Sequence, residues 1–141
     1  MSAAALAAVR AELTGRSYRI TSQRMTIIAE FAALRRYVTA KELHDHLARR
    51  RAGIGLATVY RTLEALQSIG AASAQPQPHG ETAYLFCPID HHHHAICTKC
   101  GKVEDVACPS LGQIRRTLTT DLRFTLTQHR LEFFGVCARC S

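Results

Sequence analysis

Apolar residues recur at helical spacing through the first half of the chain and then give way to alternation. Residues 2–14 have helical composition and stop at Thr14-Gly15. Thr21 can cap a second helix, in which Met25, Ile28, Phe31 and Leu34 follow helical spacing. Thr39-Ala-Lys-Glu42 has the form of a capping box, with Leu43 and Leu47 one turn apart behind it. Arg49, Arg50 and Arg51 lead into Gly53 and Gly55, which break that helix. Residues 56–69 make the clearest helix. Leu56, Val59, Leu63 and Leu66 share one face, Tyr60 lies on its flank, and Arg61 points almost opposite. Gly70 ends it. Ala72–Gln77 and Thr82–Cys87 then read as a hairpin around Pro78-His79-Gly80, with Tyr84 and Phe86 on one side. Helices followed by a hairpin is the order of a winged helix, a helix-turn-helix variant.

Beyond residue 90 the pattern shortens. Ala95–Cys97 and Lys102–Val106 predict strands about a Cys-x-x-Cys turn. Pro109 suits the first position of a helix whose buried face is Leu111, Ile114 and Leu118. Leu131–Val136 predicts a last strand. The fold class is therefore α+β, with a winged-helix domain over 1–87, a hinge over 88–91 and a small α/β domain over 92–141.

Charge sharpens this division. Of the formal net charge of +7, residues 1–70 carry 11 Lys and Arg against 5 Asp and Glu, and residues 71–141 carry 7 against 6. The basic excess is N-terminal, so a polyanion is expected as the partner of the winged helix. Five of the six cysteines fall after residue 90. No run approaches the roughly 20 apolar residues of a membrane span. The Ala-rich start reads as a helix rather than a signal peptide, which points to the cytoplasm and to reduced cysteines.

In a reducing compartment, Cys97-x-x-Cys100 and Cys137-x-x-Cys140 read as one structural zinc site. Each x-x turn aims two sulfurs at one ion, and two turns complete a tetrahedron. The alternative is a set of free thiols or redox pairs. The C-terminal part has only about 50 residues, too few for a robust core without such a staple. Cys108 has no evident partner. Immediately before the first pair stand His91, His92, His93 and His94. Alternation sends His92 and His94 to one side of a strand and His91 and His93 to the other, which allows two further sites. His44 and His46, two apart on a helix, read as solvated.

Gly55-Leu-Ala-Thr-Val-Tyr-Arg-Thr-Leu63, His91-His-His-His-Ala-Ile-Cys-Thr-Lys-Cys-Gly-Lys-Val103 and the closing Cys-x-x-Cys together resemble the ferric uptake regulator family, over nearly the whole chain. The resemblance implies a DNA-binding winged helix, a hinge, a dimerisation domain and metal-activated repression by a homodimer on palindromic operator DNA. Iron and peroxide sensors of the family place a histidine where Tyr37 stands and a carboxylate near Leu85. Cys87, four residues before the histidine run, resembles the zinc uptake regulator branch. A thiolate with two imidazoles also favours zinc over iron(II) or manganese(II).

Cys87, His92 and His94 are accordingly the expected regulatory ligands, with His79 preferred over Asp105 as the fourth. His91, His93 and His129 form a possible third site, incomplete because the family's glutamate aligns with Gly112. Thr58, Tyr60 and Arg61 on the recognition helix, together with Arg19 and Arg24, are the expected DNA contacts; Tyr60 could instead pack on the wing. The rival readings are an iron, manganese or peroxide sensor on the same fold, a zinc store, and a zinc enzyme. The last lacks the pairing of a His-x-Glu with a Pro-Cys-x-x-Cys, and any identifiable site for a small organic substrate.

Overall fold

Thr21 ends an extended segment and its hydroxyl accepts the backbone N–H of Arg24 at 3.1 Å, which starts helix α2 (Ser22–Leu34). The computed structural model describes residues 3–50, 53–78, 80–87, 92–107, 112–127 and 131–141, and of His92 only the backbone. The chain divides into two compact units, Met1–Ile89 and Asp90–Ser141.

In the first unit, α1 (Ala3–Gly15), α2, strand β1 (Val38–Thr39), α3 (Ala40–Arg49) and α4 (Leu56–Ser68) precede the hairpin β2 (Ala72–Pro76) and β3 (Thr82–Phe86). Both arms of the capping box form. Thr39 Oγ1 accepts the N–H of Glu42 at 3.1 Å, and the Glu42 carboxylate accepts that of Thr39 at 2.8 Å. Gly70 closes α4 at φ +77°, a left-handed turn that glycine adopts without strain, and Ala71 N–H returns to Leu66 O at 2.8 Å. The antiparallel sheet has the order β1-β3-β2, with Ala72 opposite Phe86 and Val38 opposite Tyr84.

Every helix of this unit contributes to one core: Val9 and Leu13, Ile27, Ile28 and Phe31, Leu43 and Leu47, then Val59, Leu63 and Leu66. Each such large side chain, fully buried, stabilises the fold by about 1.5–3 kcal/mol. Phe31 meets Phe86 of the wing edge-on, ring centres 5.9 Å apart, so the wing is packed against α2.

Two expectations fail here. Leu56 is 38% exposed, because Gly55 caps α4 one residue earlier and leaves Leu56 in the first turn, beyond the core. His46 is not solvated: its Nε2 lies 2.9 Å from Glu30, whose other oxygen accepts from Arg50 at 3.2 Å. The three side chains tie α2 to α3. Strand β1, two residues long, carries no periodic signal.

In the second unit β4 (His92–Cys97) is central. It pairs antiparallel with β5 (Val103–Ala107) and parallel with β6 (Glu132–Gly135). Between β5 and β6 lie α5 (Gly112–Arg116) and one wide π-helical turn, Thr117–Asp121. Pro109 and Leu111 lie outside the described residues. Ile114 was expected on a buried face and is 53% exposed. No described residue of α5 is buried, so within one chain the sheet does not cover this helix.

Candidate metal centre and nucleic-acid interface

The two Cys-x-x-Cys turns converge at one end of the second sheet. Cys97 ends β4, and the chain turns through Gly101 (φ +71°) into β5, with Gly101 N–H donating to Cys97 O at 2.9 Å. Cys137 follows β6 by two residues, and the N–H of Cys140 returns to Cys137 O at 2.8 Å. The four sulfurs all lie within 4.8 Å of one another, and Cys100 Sγ is 3.8 Å from Cys137 Sγ. A tetrahedral zinc with bonds of about 2.3 Å places its sulfurs about 3.8 Å apart. None of the described cysteines is in a disulfide. Donor type, number and spacing therefore fit a structural zinc ion.

The electrostatics agree. Backbone N–H groups of Cys137, at 3.3 Å, and then of Cys100 stabilise the Cys97 thiolate and lower its pKa to about 6. Cys140 moves the other way, to about 12, through its hydrogen bonds to the Cys100 and Cys137 thiols. Sulfurs this close cannot all ionise without a cation between them. Lys99 from the first turn clamps the second, Nζ to Cys140 O at 2.7 Å.

The histidines lie as alternation requires. His93 and His94 are both buried, on opposite faces of β4. Register places Asp105 of β5 opposite His94 on one side and Glu132 of β6 opposite it on the other. All three side chains therefore share a face of the sheet. Glu132 was not foreseen, because the β4–β6 register is not readable locally; counting back from Cys137 was the one available clue. Cys87 is buried at the end of β3, its backbone N–H on Ala71 O at 3.0 Å. His79, His91, His129 and Cys108 lie outside the described residues.

On the first unit, α4 exposes Tyr60, at 44%, and Arg61, whose Nη2 is 3.5 Å from Thr58 Oγ1. Thr58 is half-buried. Burial first, then the negative charges of Glu64 and of the Tyr60 phenolate, raise the pKa of Tyr84. Tyr60 thus stands beside the wing yet remains open to solvent. Glu64, a turn further on, is a carboxylate on this flank that the sequence reading did not single out. Arg19 is exposed, whereas Arg24 is half-buried and engaged within the protein. Among the described residues no helix is long and apolar enough to cross a membrane.

A winged helix and a four-thiolate α/β unit in one chain define a metal-binding winged-helix protein. The profile of the Ferric uptake regulator family matches residues 15–134, and the chain belongs to that family. Its fold and family are those of metal-responsive transcription regulators. It is 35% identical over 122 residues to the zinc uptake regulation protein of Mycobacterium tuberculosis, covering 86% of this chain and 94% of that one. It is 33% identical over 131 residues to the peroxide-responsive repressor PerR of Staphylococcus aureus, covering 92% and 87%. A solved zinc uptake regulator complexed with zinc and DNA superposes with a TM-score of 0.65 at 25% identity, over 95% of this chain and 91% of that one.

Proposed function

We propose that this protein is a zinc-responsive transcriptional repressor that binds palindromic operator DNA as a metal-loaded homodimer and controls metal uptake genes. The observation that carries the reading is its ligand chemistry. A buried thiol, Cys87, precedes a strand carrying His92 and His94, and a thiolate with two imidazoles suits zinc better than iron(II) or manganese(II). The similarity to the mycobacterial zinc uptake regulation protein supports the same choice. The similarity to peroxide-responsive repressors keeps a second sensor reading in view.

Cys97, Cys100, Cys137 and Cys140 hold the structural zinc, which supplies on the order of 10 kcal/mol to the folding of such small units. Cys87, His92 and His94 hold the regulatory ion. Asp105 is favoured as the fourth ligand, since its pairing opposite His94 puts a carboxylate beside that imidazole. His93, with His91 and His129, belongs to the possible third site.

DNA is read by α4 in the major groove, with Tyr60 against a thymine methyl and Arg61 on base or phosphate. A two-fold dimer then requires two half-sites at a matching spacing. Support for a second copy comes from the second unit. β6 is an edge strand, and Phe133, Phe134, Ile114, Leu122 and Phe124 are all exposed around it and α5. The regulatory ion acts by raising the fraction of dimers whose recognition helices match the operator. A 100-fold gain in affinity needs only about 2.7 kcal/mol of coupling.

The test is DNA binding titrated with zinc, iron(II) and manganese(II) at fixed salt, for the wild type and Cys87→Ser. The variant is expected to keep its structural zinc and its dimer but lose the zinc response. An unchanged response, or stronger activation by another metal at lower free concentration, would overturn the reading.

A further inference from the structure

We infer that Arg24 and Tyr18 are positioning residues of the DNA-reading surface. They lock the loop that presents Arg19 to the C-terminal end of the recognition helix, and Arg24 itself does not touch DNA. The inference rests on the proposed DNA-binding role.

The Arg24 guanidinium is engaged within the protein through Nη1 and through its face. Its Nη1 donates to the carbonyl of Arg19. Its central carbon sits 5.7 Å from the centre of the Tyr18 ring, in cation–π contact. Its Nε is buried, with no hydrogen-bond partner among the described residues, so a phosphate oxygen cannot reach it there.

Tyr18 extends the connection to α4. The Ser68 hydroxyl donates its one proton to Ala65 O at 2.8 Å. The Tyr18 hydroxyl, 3.0 Å from Ser68 Oγ, is therefore the donor of that pair. Arg16 adds a charged donor at the same helix end, Nη1 to Ser68 O at 2.8 Å, where the α4 dipole is negative. The result is one continuous path: Arg19 carbonyl, Arg24, Tyr18, Ser68. It fixes where Arg19 stands relative to the helix that carries Tyr60 and Arg61.

A planar cation is essential to this path. Lysine keeps the charge but cannot stack on the ring and donate in its own plane at once. A phosphate contact by Arg24 would tolerate lysine far better, because it needs mainly a positive charge. The two roles therefore give opposite results for one substitution.

The experiment uses the full chain, zinc-loaded, and a DNA duplex selected by the wild type from random sequence. Arg19→Ala, Arg24→Lys, Tyr18→Leu and the double variant Arg19→Ala/Arg24→Lys are titrated over a range of salt, with melting and zinc content recorded. Arg24→Lys and Tyr18→Leu, each of which keeps every charge, are expected to lose about tenfold in affinity, the usual worth of a charge-assisted bond. Each should lower the salt slope by about 0.9, as Arg19→Ala does. The double variant should bind within about twofold of Arg19→Ala, because both changes remove one contact. Arg24→Lys binding like the wild type would overturn the inference. So would losses that multiply in the double variant, with a slope lowered twice over. If Arg24→Lys melts early, Tyr18→Leu decides alone: wild-type affinity in it overturns the inference. Failure of the wild type to select any duplex would instead remove the DNA-binding role, and this inference with it.

Discussion

Thr98 donates twice to the carbonyl of Gly135, from its backbone N–H at 2.8 Å and from its hydroxyl at 3.1 Å. Gly135 is the last residue of β6 and pairs with Cys97. One carbonyl thus joins the first cysteine turn to the strand that leads into the second. Thr98→Val removes the hydroxyl bond and keeps the backbone one. It is expected to destabilise the C-terminal unit by about 1 kcal/mol and to speed zinc release to a chelator. Zinc-release kinetics that match the wild type would show that this carbonyl does not hold the two turns together.

The thiol chemistry gives a pH dependence with a definite sign. In the folded, metal-free unit Cys97 titrates at about 6, below the ordinary 9.0. Its contribution is complete above pH 9 and is lost as pH falls through 6. Cys140 titrates at about 12, so its protonated form contributes below pH 9, and that contribution is lost as pH rises through 12. Near neutrality Cys97 is a ready thiolate, while the Cys140 proton must be displaced by the incoming ion. Zinc uptake should therefore release protons, and should weaken steeply as pH falls through 6. Calorimetric titrations in buffers of different ionisation enthalpy count those protons. A zinc affinity that stays level across pH 6 would refute the assignment.

Asp105 faces His94 across β4 and β5. As a regulatory ligand, or as the group that orients His94, it should matter to the responsive ion alone. Asp105→Asn is expected to weaken binding of that ion about 10- to 100-fold, leaving the four-cysteine zinc in place. Competition against a chromogenic chelator resolves the two classes of site. Wild-type affinity in this variant would remove Asp105 from the set and return attention to His79.

The features legible in the sequence are those whose partners lie within a turn or a short motif. Thr39 and Glu42 cap α3 over three residues, and the x-x spacing aims each cysteine pair by itself. The helical periodicity of Val59, Leu63 and Leu66 also carries directly into the core. What escaped depends on distant pairing. Arg16 and Tyr18 meet Ser68 some 50 residues away. Glu132 reaches the His94 row only because β6 runs parallel to β4. Glu30 lies 16 residues from His46, which no periodicity links. Ile114 was misassigned for a different reason: an apolar helical stripe shows that a face wants cover, not that the same chain provides it.

That cover is testable at Phe134. It lies 60% exposed on the edge strand β6, with Phe133 exposed on the opposite face of the same strand. An edge of this kind invites another chain, and in a two-fold dimer any substitution there acts twice. Burial of one phenylalanine is worth about 1.5–3 kcal/mol, so losing two such contacts amounts to about 3–6 kcal/mol. Phe134→Glu is therefore expected to raise the dimer dissociation constant by roughly two to four orders of magnitude. Light scattering across a dilution series should show a dimer for the wild type and a monomer for the variant, with the four-cysteine zinc retained in both. Operator affinity should fall with the loss of the dimer. A variant that remains dimeric at the same concentrations would place the interface away from β6.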